Sequence, residues 1–310
     1  MKAQKFIRLL ILLIAVTGLT FSGCKKDSNT STADPTSLQQ LTEDDNAMQN
    51  ASDEAMNDVD VFLAGNHTKS TENLPCNATI DSTSVVNDTI TYYITYNGWN
   101  CNHNRFRVGQ VEIKKKVGTF WPQPGATVIV KHINFQIYKK GRPNKTITLN
   151  GTKTHQNVNG GTIWMLGNGL TSLVYKTWGY ETVTFPNNKT RTWNIARQKT
   201  ITGTPGQLVM TLDGFGSENS YSNLVMWGIN QNGEQFYTRI TQSVVLRQEC
   251  DWDPCSGVKI HEIPSDSKSA TITYGFDSNN QPVTGTDCPE KYRVDWQKNN
   301  HSGTYYLWLP

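Results

Sequence analysis

Apolar and polar positions divide this chain into three regimes. Residues 9–20 form one short apolar run behind Lys2, Lys5 and Arg8. Residues 38–64 are polar overall, yet Leu38, Leu41, Met48, Ala51, Ala55, Val59 and Phe62 recur at helical spacing and predict an amphipathic helix with one apolar face. Thr42-Glu43-Asp44-Asp45 sets acids early in it, where the positive end of the helix dipole favours them, and Gly65-Asn66 is a stop signal. From Thr79 onward the period changes to two. Ile90, Tyr92, Ile94 and Tyr96 share one face against Thr91, Tyr93 and Thr95, and Ile129, Ile133, Phe135 and Ile137 alternate with His132, Asn134 and Gln136. The same alternation returns in Phe236/Thr238/Ile240, Ala270/Ile272/Tyr274, Tyr292/Val294/Trp296 and Tyr305/Leu307/Leu309.

Turn residues punctuate these runs at Asn97-Gly98, Gln123-Pro124-Gly125, Lys140-Gly141-Arg142-Pro143, Asn159-Gly160-Gly161, Pro186-Asn187-Asn188, Gln231-Asn232-Gly233 and Ser278-Asn279-Asn280. Short strands at this spacing, with no helix between them, predict an all-β fold, an antiparallel β meander of roughly a dozen strands preceded by one amphipathic helix. Sandwich, roll and open curved sheet are all compatible with the pattern. The expected organisation is a signal peptide over 1–23, a tether rich in Ser, Thr and Asp over 24–37, the acidic helix over 38–64 and an antiparallel β domain over 75–310.

The apolar run at the start is too short to span a bilayer, which takes roughly 20 helical residues. It ends in Leu19-Thr20-Phe21-Ser22-Gly23-Cys24, which resembles the lipobox of bacterial lipoproteins. The resemblance implies cleavage before Cys24, a lipid on its thiol and an acylated amino terminus, so that the first 23 residues are address and not fold. Several acyl chains, at about 0.8 kcal/mol per buried methylene, would hold the protein at a membrane. Lys25-Lys26-Asp27 resembles the surface-export signal of Bacteroidetes lipoproteins, with one acid only. The expected location is the outer membrane, with outward display favoured over a periplasm-facing orientation.

Removing the signal takes away three of the 29 basic residues and none of the 26 acids, which leaves no net charge. The remaining charge is uneven. Residues 38–64 hold Glu43, Asp44, Asp45, Asp53, Glu54, Asp58 and Asp60 and no Lys or Arg, whereas residues 65–310 hold 24 basic and 17 acidic groups. That surplus suits an anionic partner such as lipopolysaccharide, or equally a β domain that docks the acidic segment before it. It is not the dense basic stripe of a nucleic-acid binder.

Further landmarks resemble a group of Bacteroidetes-type lipoproteins. They are the acidic helix with Thr42-Glu43-Asp44-Asp45; Cys101 followed by Arg105-Phe106-Arg107-Val108-Gly109-Gln110-Val111-Glu112-Ile113; Trp121-x-Gln-Pro-Gly125; Leu149-Asn150-Gly151-Thr152-Lys153; Cys250-x-Trp252; Ser256-Gly257; Tyr274-Gly275-Phe276; and Asp287-Cys288. The resemblance implies location and β architecture and adds no mechanism. The chain departs from it at the last motif, where the group runs Gly-x-Gly-x-Cys-Asp and this sequence has an insertion and Asp287-Cys288-Pro289.

With Cys24 lipidated, Cys76, Cys101, Cys250, Cys255 and Cys288 remain, an odd set that leaves one thiol over. The expected disulfides are Cys76–Cys101 and a bond from Cys288 to Cys250 or Cys255. A zinc site from Cys250, Cys255, Cys288 and His261 lacks a second closely spaced pair. Asp251 and Asp253 offer too few oxygens for calcium and suit a turn before Pro254. No cofactor or metal is expected. Glu181, Glu218, Glu234, Glu249 and Glu262 are the carboxylates a glycoside hydrolase could draw on, but no Gly-x-Ser-x-Gly or His-Glu-x-x-His motif accompanies them, and the sequence does not point to an enzyme.

The nine tryptophans carry the remaining hint. Exposed indoles offer flat platforms for sugar rings, although most large aromatics in β proteins are core. Trp164 and Trp178, in Gly-rich surroundings, are the candidates for exposure and ligand binding. The expected function is a lipid-anchored binding or structural module, with glycan as ligand. The alternatives are a periplasm-facing carrier of lipid or lipopolysaccharide and, behind it, a glycoside hydrolase.

Overall fold

A computed structural model describes residues 36–65 and 74–309. The expected signal peptide, Cys24 and nearly all of the expected tether lie outside these residues. Helix α1 spans Thr36–Ala64, so it begins two residues inside the stretch read as tether, and it closes with the Gly65 amide on the Phe62 carbonyl. Fifteen strands follow: β1 Ala78–Val86, β2 Thr89–Trp99, β3 Arg105–Lys116, β4 Ala126–Lys139, β5 Ile147–Asn157, β6 Ser172–Thr184, β7 Thr190–Thr202, β8 Val209–Gly214, β9 Gly216–Glu218, β10 Tyr221–Ile229, β11 Gln235–Arg247, β12 Pro254–Ile263, β13 Lys268–Phe276, β14 Lys291–Lys298 and β15 His301–Trp308. They form one antiparallel meander. Its one departure is that β8 and β10 share the gap between β7 and β11, with β9 pairing onto β10.

The sheet is curled around α1. Phe62 meets Tyr92 on β2, Asp58 pairs with Arg107 on β3, Ser52 bonds Lys153 on β5, Asp53 pairs with Arg197 on β7, Asp45 pairs with Lys259 on β12, and Asn46 accepts from Tyr274 on β13. At about 4.8 Å per strand, the path from β2 to β13 would run roughly 40 Å if flat, whereas a helix with its side chains is about 10–12 Å across. One helix can touch all of these strands only if the sheet closes round it. Among the described residues β1 and β15 are each paired on one side only, so these strands form an open curled sheet and not a closed barrel. No helix among the described residues is long and apolar enough to cross a membrane.

All seven apolar positions that predict the helix are buried, but so are Thr42, Asp44, Asp45, Gln49 and Ser52. The expectation of a single buried apolar face is therefore corrected: much of the polar side is enclosed as well. The dipole reading of Glu43, Asp44 and Asp45 is corrected too. With the helix starting at Thr36, its first turn holds no acid, and Asp45 instead meets a cation on the sheet.

Two strand details also differ from the sequence pattern. In β4 the inward set is Val128, Val130 and His132, then Phe135 and Ile137, while Ile129 is exposed. Asn134 adopts φ +47° and the pairing slips between His132 and Phe135, a bulge that changes which face the alternation serves. Gly109 lies across from it on β3 at φ +125°, where a Cβ would run into the Asn134 carbonyl. Asn97-Gly98 is not a turn but lies within β2, paired with Val108 and Arg107. There a Cβ on Gly98 would meet the Asn77 Cβ at 2.7 Å, and the chain reverses beyond it, around Asn100–Asn104, where the Asn100 side chain caps the Asn104 and Arg105 amides.

Candidate functional site

Two polar or aromatic assemblies stand out, one inside the curl and one on its outer face. The inner one is a column of ion pairs between α1 and inward-facing cations of the sheet. The Lys259 ammonium lies 3.2 Å from Asp45 and is fully enclosed with it, and His261 Nδ1 lies 2.8 Å from the Thr238 hydroxyl beside them. Arg197 and Lys199 both reach Asp53, at 3.4 and 3.0 Å. Lys153 bridges Ser52 and Glu181, each at 3.0 Å, and Glu181 also accepts from His132. His155 joins Asp60 at 2.9 Å to Thr177 at 2.8 Å. Arg191, between Asp44 and Asp45 in charge and 4.2 Å above the Phe236 ring, completes the column.

Five acidic or imidazole groups along the helix and its facing strands titrate away from their ordinary values: Asp44, Asp45, Asp58, Glu181 and His261. Burial alone would raise Asp45, but Lys259, His261 and two arginines outweigh it and hold the carboxyl at about 2. Glu181 is likewise carried past the effect of burial by Lys153 and His132, to about 2. Burial pushes His261 down to about 4 against the pull of Asp45. Burial raises Asp44 to about 6, and it raises Asp58 to about 7 in spite of Arg107.

The pH dependence follows from these directions. Asp45 and Glu181 have unfolded values near 4, so their stabilisation is present above about pH 4 and lost as the pH falls toward 2. The neutral His261 loses its contribution between about 6.5 and 4. Asp44 and Asp58 act in the opposite sense, taking up a proton in the fold first, so they cost stability as the pH rises from about 4 to 7. Thermal midpoints measured from pH 2 to 8 are therefore expected to peak near pH 4–5 and to fall steeply below 4, with Asp45 and Glu181 each contributing about 2–3 kcal/mol to that fall. A midpoint unchanged between pH 5 and 2 would contradict the ion-pair column.

The outer assembly is a cleft of about 570 Å³ where β6 and β7 meet the β9–β10 hairpin. Trp178 and Tyr180 stand on the outer face of β6, Trp227 on β10 and Phe215 on the bend between β8 and β9. Register explains the opening. Trp178 pairs with Ala196, and Tyr180 and Trp227 flank Asn194 from either side, so small side chains separate the rings. Gly216 supports the wall, since a Cβ there would strike the Trp227 ring at 2.6 Å. Trp178 and Phe215 meet edge to face at 6.3 Å, and Tyr180 and Phe215 are 52% and 40% exposed. The hairpin is braced behind the cleft by Tyr221 stacked on Tyr237 at 4.0 Å and by Asn219 bonded to the Tyr237 hydroxyl.

Of the two tryptophans singled out from sequence, Trp178 is half-buried in this cleft. Trp164 is 73% exposed in a short turn, Ile163–Met165, and does not line it. Trp227 and Phe215 were not singled out; the Gly214-Phe215-Gly216 bend was the available signal. Trp121 and Trp193 are core, and Trp308 is exposed on the edge strand β15.

Cys76 is bonded to Cys101 and Cys250 to Cys288, leaving Cys255 as the free thiol among the described residues. The second disulfide ties up two of the four ligands a zinc site would need, and His261 faces Asp45 inside the curl. Asp251 lies in a left-handed turn next to Cys250. Among the five glutamates, Glu181 is enclosed, Glu234 pairs with Lys268, Glu249 with Arg247 and Glu262 with Arg239, while Glu218 lies at the end of β9. No group of three or more His, Cys, Asp or Glu arranged to hold a metal occurs among the described residues. Comparison with protein-family models, curated proteins and solved structures gives no match to this chain.

Proposed function

We propose that this chain is a binding module, tethered to the outer membrane by a lipid on Cys24, that holds a polysaccharide in the outer-face cleft. The observation that carries the reading is the cleft itself: partly exposed indole, phenol and phenyl rings around a floor of small side chains, on the face of the sheet turned away from α1. Flat apolar rings of this kind match the faces of pyranose rings. The concave face, where a lipid carrier would need room, is occupied by α1 and its ion pairs, which favours the outer face as the binding surface.

The test is affinity electrophoresis through gels containing individual polysaccharides. Trp178→Ala and Trp227→Ala are each expected to weaken retardation roughly ten-fold, about 1.4 kcal/mol, while Trp164→Ala leaves it unchanged. Retention of full retardation by both cleft variants would remove the reading. The anchored, outward-facing half of the proposal is tested by protease treatment of intact cells with Cys24→Ala as control: degradation without lysis supports display, and protection until lysis contradicts it.

A further inference from the structure

Resting on that reading, we propose that the cleft selects an anionic polysaccharide, with Lys176 receiving the carboxylate or sulfate of a sugar whose ring lies against Trp178. Among the described residues, Lys176 is the one charged side chain lining the cleft, and no carboxylate lines it. Elsewhere on the outer face Lys114 pairs with Glu112 and Arg239 with Glu262. Lys176 has no such partner among the described residues. Its register neighbours are Gln156 and Gln198, both neutral, and its ammonium sits 5.2 Å from the Phe215 ring.

A cation held over an aromatic face and left without a counter-ion keeps its full attraction for an incoming anion. Beside it, the Asn194 carboxamide and the Ser217 hydroxyl line the same cleft and make no side-chain hydrogen bond among the described residues, leaving donors and acceptors for sugar hydroxyls. Ring platform, free amide and one unpaired ammonium together describe an acidic sugar better than a neutral one.

The experiment compares the full chain with Lys176→Gln and Trp178→Ala in affinity electrophoresis against polygalacturonate and alginate (carboxylate), heparin (sulfate), and dextran and galactan (neutral). Thermal melts confirm that each variant is folded. The expected result is that at least one acidic polymer retards the wild type about ten-fold more strongly than either neutral one. Lys176→Gln abolishes that difference without altering the neutral response, and raising the salt from 50 to 500 mM does the same. Which acidic polymer responds separates carboxylate from sulfate. Equal retardation by acidic and neutral polymers, or a Lys176→Gln variant that behaves as wild type while Trp178→Ala fails, would overturn the charge selection and leave the cleft reading standing. No retardation by any polymer, or full retardation of Trp178→Ala, would overturn both.

Discussion

Excision of residues 36–65 is expected to abolish cooperative folding of the β domain. The helix contributes Leu38, Leu41, Met48, Met56, Val59, Phe62 and Leu63 to the core, all nearly or wholly enclosed. At about 1.5–3 kcal/mol for each buried side chain, these seven amount to roughly 10–20 kcal/mol, as much as the whole stability of a typical domain, about 5–15 kcal/mol. The loss is compounded by charge. Arg107, Lys153, Arg197 and Lys259 all point inward and are buried, and without α1 most of their counter-charges and hydrogen-bond partners are gone. The truncated chain should show no cooperative melt by near-ultraviolet circular dichroism and should aggregate on size exclusion. A truncated chain that melts like the parent would mean that the sheet is self-sufficient and the helix an accessory.

Lys259→Met is expected to be the most costly single substitution, at about 3–5 kcal/mol. It removes the ammonium that holds Asp45 ionised in an enclosed site, where Gln49 and the Tyr274 ring complete its surroundings. A buried charge that loses its partner must take up a proton or carry its full desolvation penalty. For a domain of this size the thermal midpoint should fall by roughly 6–20 °C, at about 2–4 °C per kcal/mol. Two controls fix the mechanism. Lys114→Met breaks a partly exposed pair with Glu112 and should cost less than about 1 kcal/mol. The double variant Lys259→Met/Asp45→Leu removes both charges and should regain part of the loss, because a buried pair replaced by apolar groups is often neutral. Equal melting of the Lys259 and Lys114 variants would contradict the assignment of the interior column.

The architecture was legible from sequence wherever one physical signal dominated. Period-two alternation marked β2, β11, β13 and β14 because each has one face in the core. The helical spacing of Leu38 through Phe62 marked α1 for the same reason. What periodicity could not convey was the second use of the helix. Its acids look like a solvated face, and only the complementary excess of cations in residues 65–310 hinted that the polar side is enclosed. Inward-facing Arg107, Lys153, Arg197 and Lys259 carry no apolar signature, so a hydrophobicity pattern passes over them. The alternation in β4 points to the wrong face for Ile129 because one residue, Asn134, in a left-handed bulge reverses the phase of an otherwise regular strand. Asn97-Gly98 carries a turn signal without being a turn, because close approach to Asn77 and a tight reversal call for the same residue type.

The candidate site was less legible, for a related reason. Trp178 stands in a glycine-rich setting, but a cleft is a property of register: Trp178 needs Ala196 beside it, and Trp227 must reach across Asn194 from a strand that joins β7 only because β8 takes the other half of the gap. None of that is written in local sequence. Trp164 satisfied the local criterion equally well and stands apart from the cleft.

Hydrogen exchange with and without a retained polysaccharide locates the contact without altering a residue. Protection is expected to be confined to the segments around 176–180, 194–196, 215–217 and 227, with α1 unchanged. Protection at the Trp164 turn or along the inner strands and α1, with none in the cleft, would contradict the cleft reading.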